Sequence, residues 1–163
     1  MNQPQVIQHK IISPKELVFQ INRWKLINKT IAFTNGCFDI LHPGHIASLS
    51  DAALEADFLV VGLNSDTSAR KLKGPGRPVM DEQSRALMLA SLFIVDAVVI
   101  FEEDTPLDLI TLINPDVLVK GGDYSIDQIV GAKEVIAGGG RVVINPIVDG
   151  FSTTEIIGKI RAL

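Results

Sequence analysis

Short apolar runs of strand length alternate with runs of helical period along this chain, and that alternation restricts the fold more than any other feature. Thr30–Phe33, Phe58–Leu63, Ala97–Phe101, Val117–Val119 and Val142–Ile144 read as buried strands bounded by turn residues. Between them, Ile46–Leu54, Asp81–Ser91, Thr105–Ile113 and a segment near Gly131–Ala137 carry apolar residues at helical spacing, and Ser152 opens a last helix reaching Arg161. Asp81 is the expected N-cap of its helix, with Leu87, Leu89 and Leu92 among the buried side chains. Asn114-Pro115 and Gly138-Gly139-Gly140 stop two of the helices. Strand and helix in regular succession predict an α/β fold: a Rossmann-like, doubly wound parallel sheet of about five strands, covered on both faces. Residues 1–29 form a helical lead-in, with Leu17, Val18, Ile21 and Trp24 on one face, and residues 30–163 form the domain proper.

A chain of 163 residues that is 47% hydrophobic builds one core without disulfides. The single cysteine, Cys37, fits a reducing compartment, and no apolar secretion segment is present, so a cytoplasmic protein is expected. The longest apolar stretch, Leu92–Phe101, contains Asp96 and is too short to cross a bilayer, so no membrane partner is expected. With a net charge of −4 there is no basic field for nucleic acid, and an anionic ligand must be met by local positive charge. Lys71, Lys73 and Arg77, in what reads as a Gly/Pro-rich loop after the second strand, supply it.

Ligands of such sheets gather at the carboxyl ends of the strands, near the point where strand order reverses. The first strand ends in Thr34-Asn35-Gly36-Cys37-Phe38-Asp39-Ile40-Leu41-His42-Pro43-Gly44-His45. Two histidines therefore sit where a helix begins, beside unpaired N–H groups and the positive end of the helix dipole. Pro43 suits the first helical turn, and Gly44 lets an anion approach the backbone. A lone histidine here is most simply a cap, but His42 and His45, three apart, face one side and suit a phosphate chain. Zinc is rejected, because no third ligand follows at a familiar spacing, and no protein-held metal is expected. Phosphate loops of the Gly-x-x-x-x-Gly-Lys type and the Gly-x-Gly-x-x-Gly dinucleotide fingerprint are absent. Cys37, among large apolar residues, reads as packing rather than as a nucleophile. Lys10 reads as a solvated lysine, with reach to a ligand as the alternative.

The His42-Pro43-Gly44-His45 run, the Asn35–Asp39 run before it and the late Gly150-Phe151-Ser152-Thr153-Thr154 resemble the cytidylyltransferase-like nucleotidyltransferases, whose signatures are His-x-Gly-His and a motif ending in Ser-Thr-Thr. The resemblance covers about Thr30 to Arg161. Leu72–Pro78, Phe101–Pro106 and Pro115–Tyr124 make the chain most similar to the adenylyltransferase domain of ADP-heptose synthases. That family transfers AMP from ATP to D-glycero-β-D-manno-heptose 1-phosphate. The resemblance implies His42, His45 and Lys73 as catalytic groups. It implies Thr34, Asn35, Gly36, Cys37, Phe38, Asp39, Gly44, Lys71, Lys120, Gly121, Gly122, Asp123, Ser152, Thr153 and Thr154 around the nucleotide. Arg77 is implied, more weakly, at the sugar phosphate, and magnesium is expected with ATP, held by phosphate oxygens and water. It further implies a homodimer and a separate sugar kinase, since no kinase domain precedes this one. A cytidylyltransferase on a small polyol or amino-alcohol phosphate, or a non-catalytic nucleotide-binding module, remain as alternatives. One departure stands out: where the glycerol-phosphate branch has a phosphate-contacting arginine, this chain has Ile147.

Overall fold

In the computed structural model, residues 5–146 and 150–163 are described; Ile147 lies outside them. Five strands, β1 (Ile31–Gly36), β2 (Phe58–Asn64), β3 (Ala97–Phe101), β4 (Val117–Gly121) and β5 (Arg141–Asn145), form one parallel sheet in the order β3-β2-β1-β4-β5. The order reverses between β1 and β4, the position expected to hold a ligand. The helices are α1 (Gln5–Gln8), α2 (Pro14–Leu26), α3 (Pro43–Ala53), α4 (Asp66–Lys73), α5 (Glu82–Ala90), α6 (Leu107–Ile113), α7 (Ala132–Ala137) and α8 (Thr153–Arg161), with a 3-10 turn at Ile126–Gln128.

Side chains of a strand alternate between faces, and here that alternation divides the core in two. Phe33, Val60 and Leu118 join Leu17, Ile21 and Trp24 of α2, Ile110 of α6 and Val135 of α7 on one face. Ala32, Leu59, Val61 and Val119 join Leu49 of α3 and Leu89 of α5 on the other. Trp24 stacks on Phe58 with ring centroids 4.2 Å apart, fastening the lead-in helix to the start of β2. The lead-in is therefore packed into the same core as the rest of the chain.

The structure departs from the sequence reading at several places. β1 continues past Phe33 through Thr34, Asn35 and Gly36, three residues further than the apolar run. Lys71 and Lys73 lie on α4 rather than in a loop; Ser65 caps that helix, accepting from the Ser68 N–H at 3.1 Å. Leu87 points to solvent, 44% exposed, while Leu89 is fully buried. Lys10 is partly buried rather than free in solvent: its Nζ donates to the carbonyls of Val95 (2.7 Å) and Leu92 (3.2 Å), before the start of β3 and so at the opposite end of the sheet from the histidines.

Candidate active site

The carboxyl ends of β1 and β4 and the first turns of α3 and α8 surround a cleft of about 410 Å³. His42 is the N-cap of α3, with extended backbone (φ −142°, ψ 166°), and its Nδ1 accepts from the His45 N–H at 3.3 Å. A neutral imidazole that accepts at Nδ1 carries its proton on Nε2, which leaves that N–H free to donate. The His42 and His45 rings stack at 3.7 Å between centroids and 19° between planes, and the edge of Phe38 meets His45 at 5.2 Å. Gly44 makes this arrangement possible, because a Cβ there would lie 3.1 Å from the His42 ring and 3.3 Å from Phe151 Cβ. Among the described residues, His45 Nδ1 is buried with no hydrogen-bond partner, a state that native structures seldom leave to a buried polar atom.

Both histidines favour the neutral form. Burial lowers the pKa of His42, and burial, then the neighbouring His42 and Lys73, pull His45 down to about 4. A polyphosphate brought into the cleft would act in the opposite direction, since an anion favours the imidazolium. Without that anion, acid pH should destabilise the protein. An unfolded histidine takes up its proton near pH 6.5 and the folded His45 only near pH 4, so stability falls as pH drops through that window. His45→Asn should remove about 2 kcal/mol of the pH 7-to-pH 4 difference, allowing for solvent that still reaches the ring. Denaturant titrations of both proteins at the two pH values measure it, and equal differences would refute it.

Basic groups converge from two sides. Lys73, at the end of α4, and Arg77 line one wall, and Lys120 of β4 reaches across the point of strand reversal to Asn35 Oδ1 at 3.3 Å. Burial lowers the Lys120 pKa, so its ammonium is a cation held short of solvent and suited to an anionic partner. Ser152, Thr153 and Thr154 open α8 on the cleft, with Ser152 Oγ accepting from the Glu155 N–H at 3.1 Å. That bond makes Ser152 the N-cap of α8.

Thr34, Asn35, Gly36, Cys37, Phe38, Asp39, Gly44 and Gly121 also line the cleft, as expected. Three expected residues are not among its lining. Lys71 turns outward to Asp104 at 2.8 Å, and Gly122 and Asp123 lie just beyond the wall. Gly122 has φ +129°, and a Cβ on it would strike the Tyr124 ring at 2.7 Å, so the glycine lets Tyr124 fold back onto the cleft. Asp39 is 2% exposed, and its carboxylate accepts from Arg77 Nε (2.6 Å), Val79 N–H (2.7 Å) and Met80 N–H (3.0 Å). With three of its acceptor sites used and almost no exposed surface, its place in the wall is that of a tie. Cys37 is half-buried, with Sγ 3.8 Å from Asn64 Oδ1, and burial pushes its thiol up, away from the thiolate a nucleophile needs.

Sequence reasoning did not assign Ser48, Tyr124, Pro146 or Phe151 to the site, although Tyr124 and Phe151 lie inside the runs that carry the resemblance. It also missed Arg85, buried beneath the floor.

A family model described as Cytidylyltransferase-like matches residues 33–159. The chain belongs to the cytidylyltransferase-like family. Within it, the chain is 57% identical over 143 residues to the Bifunctional protein HldE of Hyphomonas neptunium, covering 88% of this chain and 29% of that protein. It is 54% identical over 159 residues to the protein of the same name from Mesorhizobium japonicum, covering 98% and 32%. The chain thus spans about a third of the length of these relatives. A lipopolysaccharide core biosynthesis protein from Thermoplasma volcanium superposes with a TM-score of 0.60 and 28% identity, over 74% of this chain and 97% of that one. A pantoate-beta-alanine ligase from Francisella tularensis shares the fold at a TM-score of 0.59 and 16% identity, over 94% and 78%. As a cytidylyltransferase-like domain, the chain places its two histidines at the strand reversal, and no described helix is long and apolar enough to cross a membrane.

Magnesium, which the resemblance implies, finds no cage of protein ligands here. Among the described residues no group of three His, Cys, Asp or Glu side chains is placed to hold a metal ion, and the one carboxylate in the cleft wall, Asp39, is already tied.

Proposed function

We propose that this chain transfers AMP from ATP to the phosphate of a sugar 1-phosphate, D-glycero-β-D-manno-heptose 1-phosphate, releasing pyrophosphate and forming ADP-heptose. One observation carries the reading: a stacked pair of neutral histidines at the start of α3 shares a cleft with Lys73, Arg77 and Lys120. The choice of nucleotide and acceptor rests on the likeness to the relatives named HldE and to the lipopolysaccharide core biosynthesis protein.

The chemistry asks little of the protein beyond placement and charge. A phosphate oxygen of the acceptor attacks the α-phosphorus of ATP, and pyrophosphate leaves in line. The acceptor is already an anion at neutral pH, so neither a side-chain nucleophile nor a strong base is required, in keeping with a Cys37 held as thiol. His42 donates from Nε2, His45 takes up a proton as phosphate arrives, and Lys73 and Lys120 neutralise charge that spreads over the phosphates. Magnesium enters with ATP, carried by phosphate oxygens and water, and screens their charge. The acceptor's own phosphate is added by a sugar kinase distinct from this stretch of chain.

Pyrophosphate release with magnesium, comparing ATP and CTP against heptose 1-phosphate and glycerol 3-phosphate, tests the proposal. Turnover is expected with ATP and heptose 1-phosphate. Turnover with CTP alone would move the chain to a cytidylyltransferase, and nucleotide binding without release would make it a binding module.

A further inference from the structure

Among the described residues, the largest fully buried side chain is that of Arg85, on α5, at 1% exposure. An arginine there is costly unless every donor is met, since an apolar residue would fill the space without desolvating a charge. Four of its five N–H donors are met by groups of one neighbourhood. Nη1 donates to the carbonyls of Cys37 (2.6 Å) and Asn64 (2.9 Å), at the ends of β1 and β2. Nε donates to the Met80 carbonyl at 3.0 Å, and Nη2 to Asp66 Oδ1 at 2.7 Å.

Two lines run from this hub to the cleft. Met80, held by its carbonyl, donates its N–H to Asp39, which also receives the Val79 N–H and binds Arg77 Nε at 2.6 Å. Asp66 opens α4, whose last residue is Lys73, and its N–H donates to Glu82 Oε2 at 2.8 Å, a second strap from α5 to α4. Arg77 and Lys73 both stand in the wall of the cleft.

We propose that Arg85 is a positioning residue, which from beneath the floor fixes where Arg77 and Lys73 stand against the acceptor's phosphate without itself touching substrate. The inference rests on the nucleotidyl transfer proposed above and adds that acceptor handling is set from α5. Misplacing such groups by about 1 Å costs about a hundredfold in rate. A lysine at this position keeps a charge for Asp66 but cannot serve all the acceptors of a guanidinium.

The test is Arg85→Lys in the full chain, read by acceptor kinetics and by amide hydrogen exchange. The acceptor kcat/KM is expected to fall about a hundredfold, with the KM for ATP within about threefold of wild type. The amides of Val79 and Met80 should exchange at least about tenfold faster, while those of Val60, Val61 and Val98 in the sheet hold their protection. Adding Arg77→Ala should cost less than about threefold more, because both changes break one line. Arg141→Ala, remote from the cleft, serves as the unaffected control. Full additivity with Arg77→Ala, or faster exchange throughout the sheet with none specific to residues 79 and 80, would reduce Arg85 to a core filler and overturn the proposal. Should Arg85→Lys fail to fold, Asp39→Asn carries the same expectations, and wild-type turnover and exchange in it would overturn the proposal equally. A wild-type protein that turns over no substrate would sink the transferase reading alone, with exchange at residues 79 and 80 still deciding the positioning line.

Discussion

His42→Asn should lower pyrophosphate release by between about a hundredfold and a thousandfold while leaving the fold as stable as wild type. The two halves of that expectation come from two different nitrogens. Nδ1 is the cap of α3, accepting from the His45 N–H, and an asparagine oxygen at an N-cap does the same work. Nε2 is the donor left over for phosphate, and asparagine does not reach as far as the distal nitrogen of an imidazole. Loss of one preorganised donor to developing charge costs a factor of about 10²–10³. His42→Ala loses both functions, so it should show the same fall in turnover plus about 1 kcal/mol of stability, or roughly 2–4 °C in Tm for a chain of this size. Calorimetry with a pyrophosphate assay separates the two. Equal stability of the Ala and Asn variants would disprove the cap, and near-wild-type turnover of the Asn variant would disprove the donor.

The second large effect concerns two lysines that look alike in the sequence. Lys73→Ala is expected to reduce kcat/KM by about a hundredfold or more, because a cation in the cleft wall is removed where phosphate charge must be neutralised. Lys71→Ala should cost less than about threefold. Its Nζ pairs with Asp104 at 2.8 Å, with the side chains 60% and 77% exposed, and such solvated pairs contribute little. Residues two apart on a helix face different sides, so α4 can present only one of the two lysines to the cleft. Steady-state kinetics on both variants decides it. Comparable losses in the two would mean that α4 turns on its axis when substrate binds.

That pair also shows where reading the sequence stops. The strands were legible because a parallel sheet buried on both faces leaves plain apolar runs such as Phe58–Leu63. The histidine pair was legible because Pro43 and Gly44 announce a helix start directly after a strand. α4 was not. Its apolar residues are Ala69, which is buried, and Leu72, which is 57% exposed, too few to set a period, and the Gly/Pro run after it suggests a loop. Arg85 was hidden for a related reason: a charged residue amid a helix is ordinarily solvated, and no local pattern reveals that four acceptors from three other segments converge on it. The bonds of Asp39 to Arg77, Val79 and Met80 were hidden as well, since they span about 40 residues of chain and depend on tertiary structure alone.

The segment around Lys10 has a consequence of a different kind. β3 is an outer strand, and the outer side of such a strand offers free N–H and C=O groups to any other chain in extended conformation. Here Val98 donates to the Lys10 carbonyl at 2.7 Å and accepts from the Ile12 N–H at 3.0 Å, with Ile11 bridging Val98 in parallel. Lys10 is itself anchored by its ammonium to Leu92 and Val95. A sequence as apolar as Ala97–Phe101 would otherwise be a template for sheet-to-sheet aggregation, and the lead-in occupies that template with three residues of its own chain.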